Sequence, residues 1–101
     1  LKVTQKAGMF RKRAWHGSVY NENYLYAIGG SADNDDRECE RLSVSEDQWE
    51  PLPPLPQTCC HVSVVVVKAT KCLYALGGFN GRFDLDVIQR LSLRRLEWDV
   101  M

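Results

Sequence analysis

The sequence repeats itself. Tyr26-Ala27-Ile28-Gly29-Gly30 returns 48 residues later as Tyr74-Ala75-Leu76-Gly77-Gly78. Arg41-Leu42-Ser43-Val44, then Trp49, return 49 residues later as Arg90-Leu91-Ser92-Leu93, then Trp98. A period near 50 residues marks a repeat architecture, in which each unit is one supersecondary element that cannot bury its apolar face alone. This constrains the fold more than composition does.

Each unit reads as four short strands. Gly29-Gly30 and Gly77-Gly78 end apolar runs, Leu25–Ile28 and Leu73–Leu76. Paired glycines there permit positive φ and close backbone approach. The Tyr within each run suits a pleated, half-buried surface. Upstream, Trp15–Tyr20 is a strand candidate joined to the next by Asn21-Glu22-Asn23, a hairpin turn because Asn tolerates left-handed backbone. Its counterpart, His61–Val67, is almost continuously β-branched, which predicts a strand covered on both faces. Its turn, Lys68-Ala69-Thr70-Lys71, is longer, since insertions are tolerated between strands.

After each glycine pair come a loop, a third strand, a charged turn and a Trp strand. Pro53, Pro54 and Pro56 exclude a central strand and mark an edge strand leaving the sheet. No window carries a 3.6-residue period, so the chain is expected to be all-β. The expected strands are 14–20, 24–29, 38–44, 48–52, 60–67, 71–77, 86–93 and 97–101, in two four-stranded antiparallel sheets. Trp49 and Trp98 are expected to do equivalent jobs, each packing on its own unit near that unit's glycine pair.

The apolar strand, the Tyr strand ending in Gly-Gly, the third strand and a Trp about 20 residues after the glycines together resemble the kelch repeat. Trp49-Glu50-Pro51-Leu52-Pro53-Pro54-Leu55-Pro56 is similar to a kelch blade ending, and Arg13 with His16 to the residues opening the next blade. The resemblance covers residues 9 to 101. It implies an incomplete kelch-type β-propeller: residues 1–13 as the tail of a preceding blade, 14–57 as one blade, and 58–101 as a second, cut short at its outer strand. A two-blade chain leaves two open faces and is expected to be marginally stable. Three departures stand out. Leu42 and Leu91 replace the usual Tyr of the third strand, Ser43 and Ser92 replace the usual Asp, and Thr58 replaces the opening Arg in the second unit.

The 13 basic and 13 acidic residues cancel. That argues against bulk electrostatic binding to nucleic acid or membrane. The charges are segregated, with Lys2, Lys6, Arg11, Lys12 and Arg13 near the start and Asp33, Asp35, Asp36, Glu38 and Glu40 after the first glycines. Solvated loops and a partner-binding patch both account for this. The four cysteines, Cys39, Cys59, Cys60 and Cys72, have neither disulfide nor zinc spacing. Cys59-Cys60-His61 is a poor metal cluster, because adjacent strand residues point to opposite faces. Asp33-Asn34-Asp35-Asp36 lacks the Gly and the final Glu of a calcium loop. No catalytic motif is present, and His16 and His61 read as structural residues at strand openings. No metal, no cofactor and no enzymatic activity are therefore expected. Free thiols, with no signal peptide, transmembrane run or glycosylation sequon, favour cytoplasm or nucleus.

The resemblance implies a rigid disc whose loops dock a protein. Carried over, the loop positions are Ser31, Ala32 and Asp33 after the first glycine pair, and Phe79, Asn80, Gly81 and Arg82 after the second. The positions leading into the innermost strands are Ala14 and Trp15, and Cys59 and Cys60. Trp15, Phe79 and Arg82 are of the types that dominate interface energies. Packing between blades accounts for Trp15, and covering of the loop for Phe79, as well as partner contact does. Three function classes follow: the substrate-recognition propeller of a cullin-type ubiquitin-ligase adaptor, a cytoskeletal scaffold that binds actin, and a copper enzyme similar to galactose oxidase. The last needs tyrosine, histidine and cysteine ligands that these units do not supply. Expected partners are a protein or degradation substrate, with cullin or actin reached through the full-length protein.

Overall fold

Among the described residues, eight strands form two sheets of four. The computed structural model describes residues 17–29, 37–57, 62–79 and 86–101. The first sheet runs β1 (Gly17–Asn21), β2 (Tyr24–Ile28), β3 (Cys39–Ser43) and β4 (Gln48–Leu52) in spatial order. The second repeats this with β5 (Ser63–Val67), β6 (Cys72–Leu76), β7 (Ile88–Ser92) and β8 (Glu97–Val100). Every neighbouring pair is antiparallel. The all-β reading and the two four-stranded sheets hold, though the sheets do not close into a propeller.

The register carries the sequence duplication into space. Tyr26 faces Arg41, and Arg41 faces Glu50. Tyr74 faces Arg90, and Arg90 faces Asp99. One residue along, Leu25–Leu42–Trp49 and Leu73–Leu91–Trp98 form matching apolar rows. Leu42 and Leu91 are buried, so an apolar side chain suits the position that a Tyr usually fills in the repeats this chain resembles. The Ser departures also have a use. The Glu46 amide donates to Ser43 Oγ at 3.3 Å, and the Arg95 amide to Ser92 Oγ at 3.2 Å. A hydroxyl thereby caps the turn as an Asp carboxylate would.

The β1–β2 turn is tighter than expected. Asn21 belongs to β1 and pairs with Tyr24, leaving Glu22 and Asn23, at φ 44° and 74°, as a two-residue loop. Positive φ at both positions gives the twist that suits antiparallel neighbours. The other turns described, Val44–Asp47, Lys68–Lys71 and Leu93–Leu96, each span four residues. Each ends left-handed, at Asp47, Lys71 and Leu96, and each closes by an amide bond to the residue four back. Leu96 pays a steric cost in that conformation, offset by packing against the core.

β1 of the first sheet lies against β5 of the second, and a single core runs through both. Tyr26, Ile28, Cys39, Leu52 and Leu55 meet Val62, Leu73, Ala75 and Leu91. Here one expectation fails. β5 is not covered on both faces among the described residues: Val64 and Val66 turn to the core, while Val65 and Val67 are 43% and 39% exposed. β5 is an edge strand with one face on the neighbouring sheet, so its β-branched run reports strand propensity and not two-sided burial.

A second expectation fails at Trp98. Trp98 packs on the shared core, and its indole N–H donates to the Pro53 carbonyl of the first unit at 2.8 Å. It reaches across the boundary between the sheets and is not confined to its own unit's glycines. Trp49 occupies the same register and is not part of that core among the described residues. The Trp-to-acid spacing is local and repeats; the neighbour that the Trp98 indole meets comes from the preceding unit, which no local spacing encodes.

Candidate partner-binding face

Antiparallel pairing puts Gly29 and the Gly77-Gly78 pair at one end of the sheets and the hairpin turns at the other. Gly29 and Gly77 share φ 66°, and Gly78 has φ 104°. Their amides make the same bond, Gly29 to the Glu38 carbonyl and Gly77 to the Val87 carbonyl, each at 3.0 Å. These bonds close the base of each loop between second and third strand. An L side chain is strained at such φ values, which explains glycine here.

Arg37 ties the first loop to the chain leaving β4. Its Nε donates to the Leu55 carbonyl at 2.7 Å, while the Leu55 amide donates to the Arg37 carbonyl at 2.8 Å. A matching brace crosses the boundary, where the Gln57 amide donates to Oε1 of fully buried Gln89 at 2.8 Å. Arg37, Gln89 and Pro53 thus hold the segment between the units. Sequence reasoning passed over all three as positioning residues. Only the place of Gln89, opposite Ala75 as Glu40 is opposite Ala27, could have signalled a polar group aimed inward.

Of the eleven residues expected to meet a partner, the structure describes Phe79. It follows the second glycine pair directly and is half-buried, which leaves both readings of it, loop cover and contact residue, in play. Ala14, Trp15, Ser31, Ala32, Asp33, Cys59, Cys60, Asn80, Gly81 and Arg82 lie outside the described residues, as does Gly30 among the structural positions.

The cross-strand rows supply the electrostatics. Arg41 bonds Glu50 through Nε and lies over the Tyr24 ring, 3.9 Å from its centroid. Burial works against its charge, but the hydrogen bonds to Glu50 and then Tyr26 outweigh it and hold the guanidinium above its ordinary pKa. Arg90 grips Asp99 with two bonds of 3.0 and 2.6 Å. That hydrogen bonding lowers the Asp99 pKa and raises that of Arg90. These pairs sit on the strands and serve the sheet. Cys39 and Cys72 are free thiols, each donating to a carbonyl two residues back. Among the described residues no group of three His, Cys, Asp or Glu side chains is placed to hold a metal.

The Kelch motif profile matches residues 12–56. A kelch repeat-containing protein of Dictyostelium discoideum is 31% identical over 109 residues, which covers 99% of this chain and 16% of that protein. The human Kelch repeat and BTB domain-containing protein 12 is 35% identical over 98 residues, 89% of this chain and 15% of the relative. Human Kelch-like protein 3 is 35% identical over 57 residues, 56% of this chain and 9% of its own length. The chain therefore spans about a sixth of the first two of these relatives. The duplicated four-stranded sheets, the Gly29 and Gly77 amides that close their loops, and these matches agree: the chain belongs to the kelch-repeat family.

Proposed function

We propose that the chain is a non-enzymatic protein-interaction module, with blades at 14–57 and 58–101, that contributes to the substrate-recognition propeller of a cullin-type ubiquitin-ligase adaptor. The similarity to a human protein that joins kelch repeats to a BTB domain, over 89% of this chain, carries the reading. The fold supports it: the braces around Arg37, Pro53 and Gln89 give rigid bases from which loops can present a surface. The working face is the glycine-pair end, with Phe79 and Arg82 as anchors, and the compartment is the cytoplasm or nucleus.

The test uses the full-length protein. Phe79→Ala and Arg82→Ala are expected to weaken partner capture about thirtyfold, with stability changed by no more than about 0.5 kcal/mol. Co-purification with a cullin supports the adaptor role; co-purification with actin filaments and no cullin replaces it by the scaffold reading. If both variants bind as wild type, or lose binding only by unfolding, the loop-face assignment falls.

A further inference from the structure

At the hairpin end, opposite the glycine pairs, a cleft of about 330 Å³ opens between the two sheets. Tyr24, Tyr26 and Arg41 line it from the first sheet, and Lys68, Lys71 and Arg94 from the second. Glu22 is the acid on its wall. Among the described residues no ion pair joins Glu22 to these cations, and Lys68, Lys71 and Arg94 are all exposed.

The duplication gives this charge its significance. The turns of the first unit carry Glu22, Glu46 and Asp47, whereas those of the second carry Lys68, Lys71, Arg94 and Arg95. Val44–Asp47 and Leu93–Leu96 close with the same amide bond at 2.7 Å, so the turn geometry does not require either sign. The backbone of the basic turns is also held in place. The Lys71 amide bonds the Val67 and Lys68 carbonyls, and the Leu93 amide bonds the Lys71 carbonyl, fastening the two basic turns together. On the opposite wall, Asn23 locks its hairpin to Ser45 through both side-chain atoms, at 2.9 and 3.0 Å.

We propose that this cleft binds a phosphorylated side chain of a protein partner. Three cations lining one small volume, Lys68, Lys71 and Arg94, exceed what a single carboxylate can satisfy. A phosphoester brings a charge of roughly −1.5 to −2 and three acceptor oxygens. A volume near the lower limit for ligand pockets, about 300 Å³, suits one side chain and not a long segment. The tyrosine rings, with Val66 and Leu93 beside the cations, offer the apolar contact that the stem of such a side chain needs. A lipid surface would call for a flat basic run of about four to eight residues, and this site is concave and ring-lined. The cleft lies at the far end of the sheets from the loop face, so either assignment can fail alone.

The test titrates the full-length protein with random-flank peptide pools carrying central phosphoserine, phosphothreonine or phosphotyrosine, and with the unphosphorylated pool. A phosphorylated pool is expected to bind at least about tenfold tighter, and Lys68→Ala or Lys71→Asn to remove about that factor. Asn is chosen because Lys71 is left-handed at φ 55°. Arg95→Ala, outside this cleft, and Phe79→Ala, at the other end, are expected to leave the titration unchanged, and thermal midpoints verify folding. Equal binding of the pools, or indifference to Lys68→Ala and Lys71→Asn, overturns the proposal. So does inorganic phosphate competing as well as phosphopeptide, which means an adventitious ion only. Binding to phosphatidylserine vesicles that the same two variants abolish would assign the cleft to a lipid surface instead.

Discussion

Gly17→Ala adds one methyl group where β1 approaches the second sheet closely. Gly17 opens β1 and pairs with Ile28. A Cβ there would overlap Val64 Cγ2, with the Val62 carbonyl oxygen 2.8 Å away and Val62 Cγ1 3.1 Å away. Gly17 is not among the positive-φ glycines, so the penalty is steric and not conformational. Overpacking of this kind costs about 1–3 kcal/mol, offset by the roughly 0.4–1 kcal/mol that alanine gains by restricting the unfolded chain. The net expectation is a loss of about 1–2 kcal/mol, a large share of the stability of a small domain. The contacts also predict how the loss divides. Val64→Ala should cost about 1 kcal/mol, since the side chain is half-buried, but it removes the Val64 overlap and leaves the Val62 carbonyl. Gly17→Ala with Val64→Ala should therefore cost less than the two singles added, by about 1 kcal/mol. Urea unfolding followed by tryptophan fluorescence measures all four proteins. Additive losses, or a Gly17→Ala protein as stable as wild type, would refute the close approach.

Two further outcomes follow from the cross-strand and cross-sheet bonds. Trp98→Phe removes the indole bond to Pro53 and should cost about 0.5–1.5 kcal/mol. It should also speed hydrogen exchange at the Leu55 amide in the other unit, and unchanged exchange there would rule out Trp98 as a link between the sheets. Asp99, its pKa lowered chiefly by the hydrogen bond from Arg90, contributes stability that is present above its unfolded pKa and lost as pH falls through the lower folded one. Melting curves from neutral pH to below 3.8 should accordingly fall more steeply for wild type than for Asp99→Asn; parallel curves would show that the pair gives no net stabilisation.

Strand number, order and pairing were legible because they depend on local chemistry that the chain states twice. Glycines after a Tyr strand, prolines after a Trp strand and β-branched runs each act within a few residues, and each appears where the structure uses it. What the sequence did not disclose lies between the units. The donation from Trp98 to Pro53 spans 45 residues and the Gln57–Gln89 bond spans 32; no periodicity encodes either partner. The Val65 and Val67 exposures depend on whether a second layer lies over β5, which residue type cannot report. The candidate binding loops were legible only through family resemblance, and Phe79 alone among them has described geometry. Gly17 was read as one residue of a strand, because its importance comes from Val62 and Val64 of the other sheet.

The two units serve as controls for each other, and this separates what the sheet requires from what it leaves free. Arg41 with Glu50 and Arg90 with Asp99 keep the same cross-strand pairing although the acid differs in length. Ser43 and Ser92 keep the same turn cap, and Gly29 and Gly77 the same φ and the same bond. These positions belong to the fold. Two groups of positions differ in sequence between the units: the residues following the glycine pairs, acidic after the first and Phe79 to Arg82 after the second, and the hairpin turns, acidic in one unit and basic in the other. Surface charge that a scaffold does not need is unconstrained unless something binds it. The first group is the one proposed above to dock a partner, and the hairpin turns lie at the opposite end of the sheets. A partner that grips both ends would bind with an effective concentration set by the rigid distance between them, so losing either contact should cost more in the full-length protein than that contact supplies to an isolated peptide.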